Sequence, residues 1–132
     1  MRSIYVNLPV RNLSVSTAFF AELGFTFSPE LSGRDAACMV VDQNVYIKLL
    51  AQEFFQDYVN GDLSQPRSAG EVLTCLSADS PEQVDDIVAK AIAVGGKPWP
   101  VLEERPVYSG SFQDLDGHLW QFISARPEPV PG

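Results

Sequence analysis

The sequence predicts an α+β fold in which a strand, a helix and three further strands occur in that order twice. Two observations predict it. The apolar pattern changes from a period of two to a helical period after Ile4 and again after Glu71. A displacement of 68 residues also lays Leu8 on Leu76, Val10 on Ala78 and Asn12 on Ser80, so that both helices start in the same register.

In the first half, Ile4 to Val10 alternates Val6, Leu8 and Val10 with Tyr5, Asn7 and Pro9, as a strand requires. From Leu13 to Leu23 the residues Val15, Phe19, Phe20 and Leu23 recur at helical spacing, with Asn12 or Ser14 as the cap and Gly24 as the stop. Strands are expected over Phe25 to Ser28, Ala36 to Val41 and Val45 to Leu50, the last two joined by a polar turn at Asp42-Gln43-Asn44. Ala51 to Val59, with Phe54, Phe55 and Tyr58, is expected to form a short helix over the sheet edge or an aromatic lid.

The second half starts with a strand over Glu71 to Ala78. Ser80-Pro81-Glu82-Gln83 is a capping box with proline in the first helical position. Val84, Ile87, Val88 and Ala91 form the apolar stripe, Asp86 and Lys90 sit four apart on the solvent side, and Gly95-Gly96 ends the helix. Short strands follow at Lys97 to Trp99, Val107 to Gln113 and His118 to Ser124, the last two linked by Asp114-Leu115-Asp116-Gly117. One domain is expected over residues 1–124, with modules at about 1–59 and 71–124. Residues 60–70, rich in Gly, Ser, Pro and Asp, form the connection, and the proline-rich tail 125–132 is expected to fray.

A chain of 132 residues with 45% hydrophobic, 20% charged and 11% aromatic residues suits one globular unit. No apolar run approaches the roughly 20 residues of a membrane span. The start at Met1 enters a strand pattern directly, so a cytoplasmic protein is expected. The net charge of -8, from nine basic and seventeen acidic residues, argues against a nucleic-acid partner. Cys38 and Cys75, both inside strands, are expected to be reduced core thiols. His118 follows the hairpin glycine, where an imidazole bonds across the turn. Asp114 and Asp116 are expected as turn formers rather than an acid-base pair. Asn12-Leu13-Ser14 matches a glycosylation sequon by accident, and no glycine run has phosphate-loop spacing.

The opening Ile4-Tyr5-Val6-Asn7-Leu8-Pro9-Val10-Arg11-Asn12-Leu13, with Phe19-Phe20 and Leu23-Gly24-Phe25 after it, resembles the start of proteins of the glyoxalase/bleomycin-resistance/extradiol-dioxygenase (vicinal oxygen chelate) superfamily. Phe112-Gln113-Asp114-Leu115-Asp116-Gly117-His118-Leu119-Trp120-Gln121 resembles that family's closing hairpin, with Leu115 in place of the usual proline. The likeness runs from Ile4 to Phe122. It implies two tandem βαβββ modules whose mixed sheets curl into a cup, commonly completed in a homodimer.

Metal-dependent members carry four inward ligands drawn from His, Glu or Gln, at positions that map by motif to Tyr5, Lys48, Leu73 and Gln121. Leucine has no lone pair, lysine repels a cation and a neutral tyrosine is a poor ligand, so no metal or other cofactor is expected. If the second-module alignment slips, Thr74 and Cys75 are the neighbouring candidates, and neither restores a four-ligand set. Tyr5, Asn7, Lys48, Leu73 and Gln121 are the candidate ligand-binding residues. Two functions stay open: a metal-free protein that encloses a small molecule, as antibiotic-sequestering members of the superfamily do, or a lyase, isomerase or dioxygenase-type enzyme of the same superfamily. The net charge favours a cationic ligand at long range. It is screened over about 8 Å, however, whereas a charge pair at 4 Å is worth roughly 4 kcal/mol at an effective dielectric of 20. If Lys48 lines the cup rather than reaching past its rim, the ligand is anionic or carbonyl-bearing.

Overall fold

A computed structural model describes residues 1–59, 72–100 and 107–125. The chain divides into two compact units, 1–67 and 68–132. The first holds β1 (Ile4–Val10), α1 (Leu13–Glu22), β2 (Thr26–Ser28), β3 (Ala36–Asp42), β4 (Val45–Ala51) and α2 (Gln52–Val59). The second holds β5 (Leu73–Ser77), α3 (Pro81–Ala93), β6 (Lys97–Pro98), β7 (Val107–Gln113) and β8 (Leu119–Ala125). Each has one four-stranded mixed sheet, ordered β1-β4-β3-β2 and β5-β8-β7-β6, so the expected βαβββ repeat is present with the same topology in both units. The first strand of each unit pairs in parallel with its last, and the remaining pairs are antiparallel. Among the described residues, no helix is long and apolar enough to cross a membrane.

Both helices start where the sequence marks them. Asn12 is the cap of α1, its Oδ1 accepting from Val15 N at 3.1 Å, and Gly24 follows the helix at φ +103°, a region glycine enters without strain. Ser80 Oγ accepts from Gln83 N at 3.1 Å. The Gln83 side chain accepts from Asp79 N at 2.6 Å, one residue before the donor of an ideal capping box. Asp86 and Lys90 pair at 2.8 Å on the exposed side of α3.

The buried face of α1 departs from expectation in one place. Ser16, Phe19, Phe20 and Leu23 are buried, whereas Val15 is 50% exposed. At 100° per residue, Ser16 lies between Phe19 and Phe20 on the helical wheel and Val15 falls at the flank. On the sheet side, Leu8, Val10, Ile47, Leu49, Ala37 and Met39 complete this core. α2 packs on the edge strand β1 and its neighbour β4, so the helix expected at the sheet edge is present.

In the second unit Val84, Ile87 and Ala91 of α3 are buried with Trp120, Phe112 and Phe122, whose two phenyl rings stack at 6.0 Å. Gly110 lets α3 approach the sheet: a Cβ there would lie 2.9 Å from Val84 Cγ1 and 2.9 Å from Val88 Cγ2. Cys75 is a correction. It is exposed, unlike Cys38: the pleat turns it away from α3, and β5 is an edge strand, whereas Cys38 lies on the interior strand β3.

Asp114 closes the β7–β8 hairpin and is 6% exposed. Its Oδ1 accepts from Asp116 N and His118 N, each at 2.9 Å, and its Oδ2 accepts from the indole Nε1 of buried Trp120 at 2.9 Å. It is therefore a turn former, as expected, that also anchors the largest core side chain. Burial pushes its carboxyl above the usual range, while the His118 charge, the Trp120 indole and the two backbone donors pull it back.

Two predictions follow from these contacts. Gly110→Ala should destabilise by about 1–3 kcal/mol in urea unfolding, because two valine side chains must shift; an unchanged midpoint would contradict the packing. Because folding raises the Asp114 pKa, its contribution is fullest below about pH 4 and is lost as pH rises through the folded value. The stability of the wild type relative to Asp114→Asn should therefore fall between pH 4 and neutrality, and a difference that grows with pH would contradict the direction of the shift.

Candidate functional site

The helices cover one face of each sheet, and the residues alternate with them onto the other. In the first unit Tyr5, Asn7 and Pro9 of β1 share that other face, which is exposed at Tyr5 and Asn7 and buried at Leu50 and Cys38, with Asn7 opposite Lys48 on β4 and Tyr5 opposite Tyr46. The row continues outward, since Lys48 is opposite Cys38 on β3 and Cys38 is opposite Ser28 on β2. A polar line, Asn7–Lys48–Cys38–Ser28, thus crosses all four strands. Beside it the rings of Tyr5 and Tyr46 stack with centroids 4.7 Å apart and planes 11° from parallel. Asn7 Nδ2 donates to Tyr5 O at 3.4 Å, and Tyr46 Oη donates to Gln43 O at 3.2 Å.

Lys48 is half-buried in this row and has no ion-pair partner among the described residues. Its neighbour Cys38 is fully buried, and its backbone N–H donates to Ser32 Oγ at 2.9 Å. Burial pushes the Cys38 thiol up and the Lys48 ammonium pulls it down, burial being the larger effect. The thiol is therefore neutral, and the lysine charge is not cancelled from that side.

The second unit repeats the geometry with different chemistry. Leu73 is opposite Leu119, Cys75 opposite Gln121, and Gln121 opposite Ser111 on β7. The row Cys75–Gln121–Ser111 corresponds strand for strand to Asn7–Lys48–Cys38. Tyr5 and Lys48 thus occupy a diagonal that Leu73 and Gln121 reproduce in the other unit. Thr74 lies on the helix side, opposite Trp120, and leaves the candidate set, whereas Cys75 joins it. The sequence carried a signal for Cys75, because the same displacement of 68 residues lays Asn7 on it.

Two mixed four-stranded sheets of one topology, each with a crossover helix, are also found in solved structures. A hypothetical protein, SA1046 from S. aureus, is 27% identical over 95% of each chain, with a TM-score of 0.77. A glyoxalase/bleomycin resistance protein from Albidiferax ferrireducens T118 is 25% identical, covering 93% of this chain and 97% of that one, with a TM-score of 0.68. A glyoxalase/bleomycin resistance protein/dioxygenase family enzyme from Burkholderia phytofirmans PsJN is 21% identical, covering 92% and 96%, with a TM-score of 0.77. The chain has the fold of the glyoxalase/bleomycin resistance/dioxygenase superfamily. No family model and no curated protein matches the sequence.

In the metal-dependent branch of this superfamily the two diagonals carry the ligands, and the residues present here do not fit that role. Leu73 offers no lone pair, Lys48 brings a positive charge, and only Gln121 and Tyr5 carry oxygen. Among the described residues, no three His, Cys, Asp or Glu side chains lie close enough to hold an ion. Adding zinc, nickel or manganese should accordingly leave the melting temperature nearly unchanged. A rise of several degrees on metal addition, reversed by a chelator, would show that other residues bind.

Proposed function

We propose that the protein binds a small anionic or carbonyl-bearing molecule on these sheet faces, without a metal, with Tyr5, Asn7 and Lys48 as the binding residues of the first unit and Leu73 and Gln121 as those of the second. The observation that carries the proposal is Lys48, a half-buried ammonium in the centre of a sheet face with no carboxylate partner among the described residues. Removing a charge from water is costly unless something pairs with it. A bound anion or carbonyl oxygen supplies that pair. Close range decides the ligand's sign: the net charge of -8 acts through screening solvent, whereas Lys48 acts at contact distance. The stacked Tyr5 and Tyr46 rings offer a flat apolar surface beside the ammonium, which suits a ligand with an apolar body and one polar end.

The edge strands β1 and β5 expose Ile4, Tyr5 and Leu73, and we extend the proposal to a homodimer that covers these edges. Light scattering that finds only monomer at micromolar concentration would reject the dimer. For the ligand, thermal shifts over a panel of small metabolites and antibiotics should favour anionic and carbonyl-bearing compounds. Lys48→Met should weaken an anionic binder at least about tenfold while the protein stays folded. Cationic compounds that bind the wild type more tightly than Lys48→Met would reverse the assignment.

A further inference from the structure

The two rows differ beyond the third strand. In the first unit β2 pairs with β3 over three positions, ending with Ser28 opposite Cys38. In the second unit β6 pairs with β7 only at Lys97–Gln113 and Pro98–Phe112. The expected strand over Lys97 to Trp99 thus stops one residue early. Pro98 and Pro100 have no N–H to donate, a composition that suits a short edge strand ending before Ser111, Gly110 and Ser109.

Where the strands part, an open hollow of about 460 Å³ lies between Pro98, Trp99 and Pro100 on one side and Ser109, Gly110 and Ser111 on the other. Its volume is within the range of small-molecule sites. Among the described residues that line it, none is charged. Ser111 stands at the end of the Cys75–Gln121–Ser111 row, and its Oγ is buried with no hydrogen-bond partner. Buried hydroxyls are nearly always paired, and one beside a hollow with no partner among the described residues is placed to donate to a ligand oxygen. Trp99 is half-buried and supplies an aromatic wall.

We infer that this hollow is the second unit's ligand subsite, which takes an uncharged, planar, carbonyl-bearing ring whose oxygen accepts from Ser111 Oγ while its face lies against Trp99. The inference rests on the proposal that the sheet faces take a ligand, and it assigns a neutral ligand group to the second unit's hollow. It places Ser111 and Trp99 in the binding machinery of the second unit, as Lys48 is placed in that of the first.

Benzamide, a neutral ring with a carbonyl, and benzoate, its anionic counterpart, separate the two claims. The chain has two tryptophans and Trp120 is fully buried, so the indole N–H resonances distinguish the sites once Trp99→Phe has assigned them. Benzamide should shift the Trp99 signal and leave that of Trp120 in place. Ser111→Ala should weaken benzamide about fivefold, the loss of one neutral hydrogen bond. Without ligand, Ser111→Ala should melt no lower than the wild type, since it removes an unpaired buried hydroxyl. Three results would each overturn the inference: a Trp99 signal unmoved by benzamide at about 10 mM, where even weak fragments bind, equal affinity in Ser111→Ala, or a lowered melting temperature of that variant, which would reveal an internal partner. If benzoate still depends on Lys48 in such a case, the subsite alone fails. If benzoate ignores Lys48 while Trp99 responds to benzamide, the assignment of Lys48 fails and the hollow stands.

Discussion

The parallel pairing of the first strand of each unit with its last is the constraint on which the other features depend. Parallel neighbours cannot be joined by a tight turn, so the chain must leave the sheet edge, cross over and return. In both units the crossover is a helix followed by the two antiparallel strands, and the helix necessarily lies on one face. Val6, Leu8 and Val10 are therefore committed to packing, and Tyr5, Asn7 and Pro9 are released from it. The same pairing puts Asn7 against Lys48 and Cys75 against Gln121, with no loop residue involved. Lys48 and Gln121 lie on the interior strands β4 and β8, which have backbone ladders on both sides, a firm base for a binding surface.

Much of this was legible in the residues because local chemistry and global pattern agreed. Asn12 and Ser80 cap their helices as short polar side chains do, and Gly24 takes the positive φ that ends α1. The period-two runs at Ile4–Val10 and Val107–Gln113 became strands with those bounds. The misreadings came where neighbours in space, not in sequence, decide. Val15 is apolar and spaced like a core residue, but the sheet meets the helix one residue further round, at Ser16. Cys75 is in a strand, and only the side on which α3 lies determines that this thiol faces away from the core.

The candidate site was legible in its identities and not in its alignment. Motif resemblance placed Tyr5, Lys48, Leu73 and Gln121, and the strand registers put them on corresponding diagonals of two sheets. Which residues lie directly opposite Lys48 and Gln121 depends on strand register, which a single sequence specifies only weakly. The end of β6 was open to inspection in retrospect, since prolines at 98 and 100 forbid a donor on that edge. The unpaired hydroxyl of Ser111 was not, because burial of an oxygen is a property of the packed chain.

The matched rows also bear on how one scaffold carries two chemistries. Asn7–Lys48–Cys38 and Cys75–Gln121–Ser111 occupy equal places in two copies of one scaffold, yet one carries a cation and the other is neutral. Both rows lie on the sheet face turned away from α1 and α3, with Cys38 the fully buried member. Two units with one topology can thus present different chemistry on these rows while α1 and α3 pack on the opposite faces of their sheets.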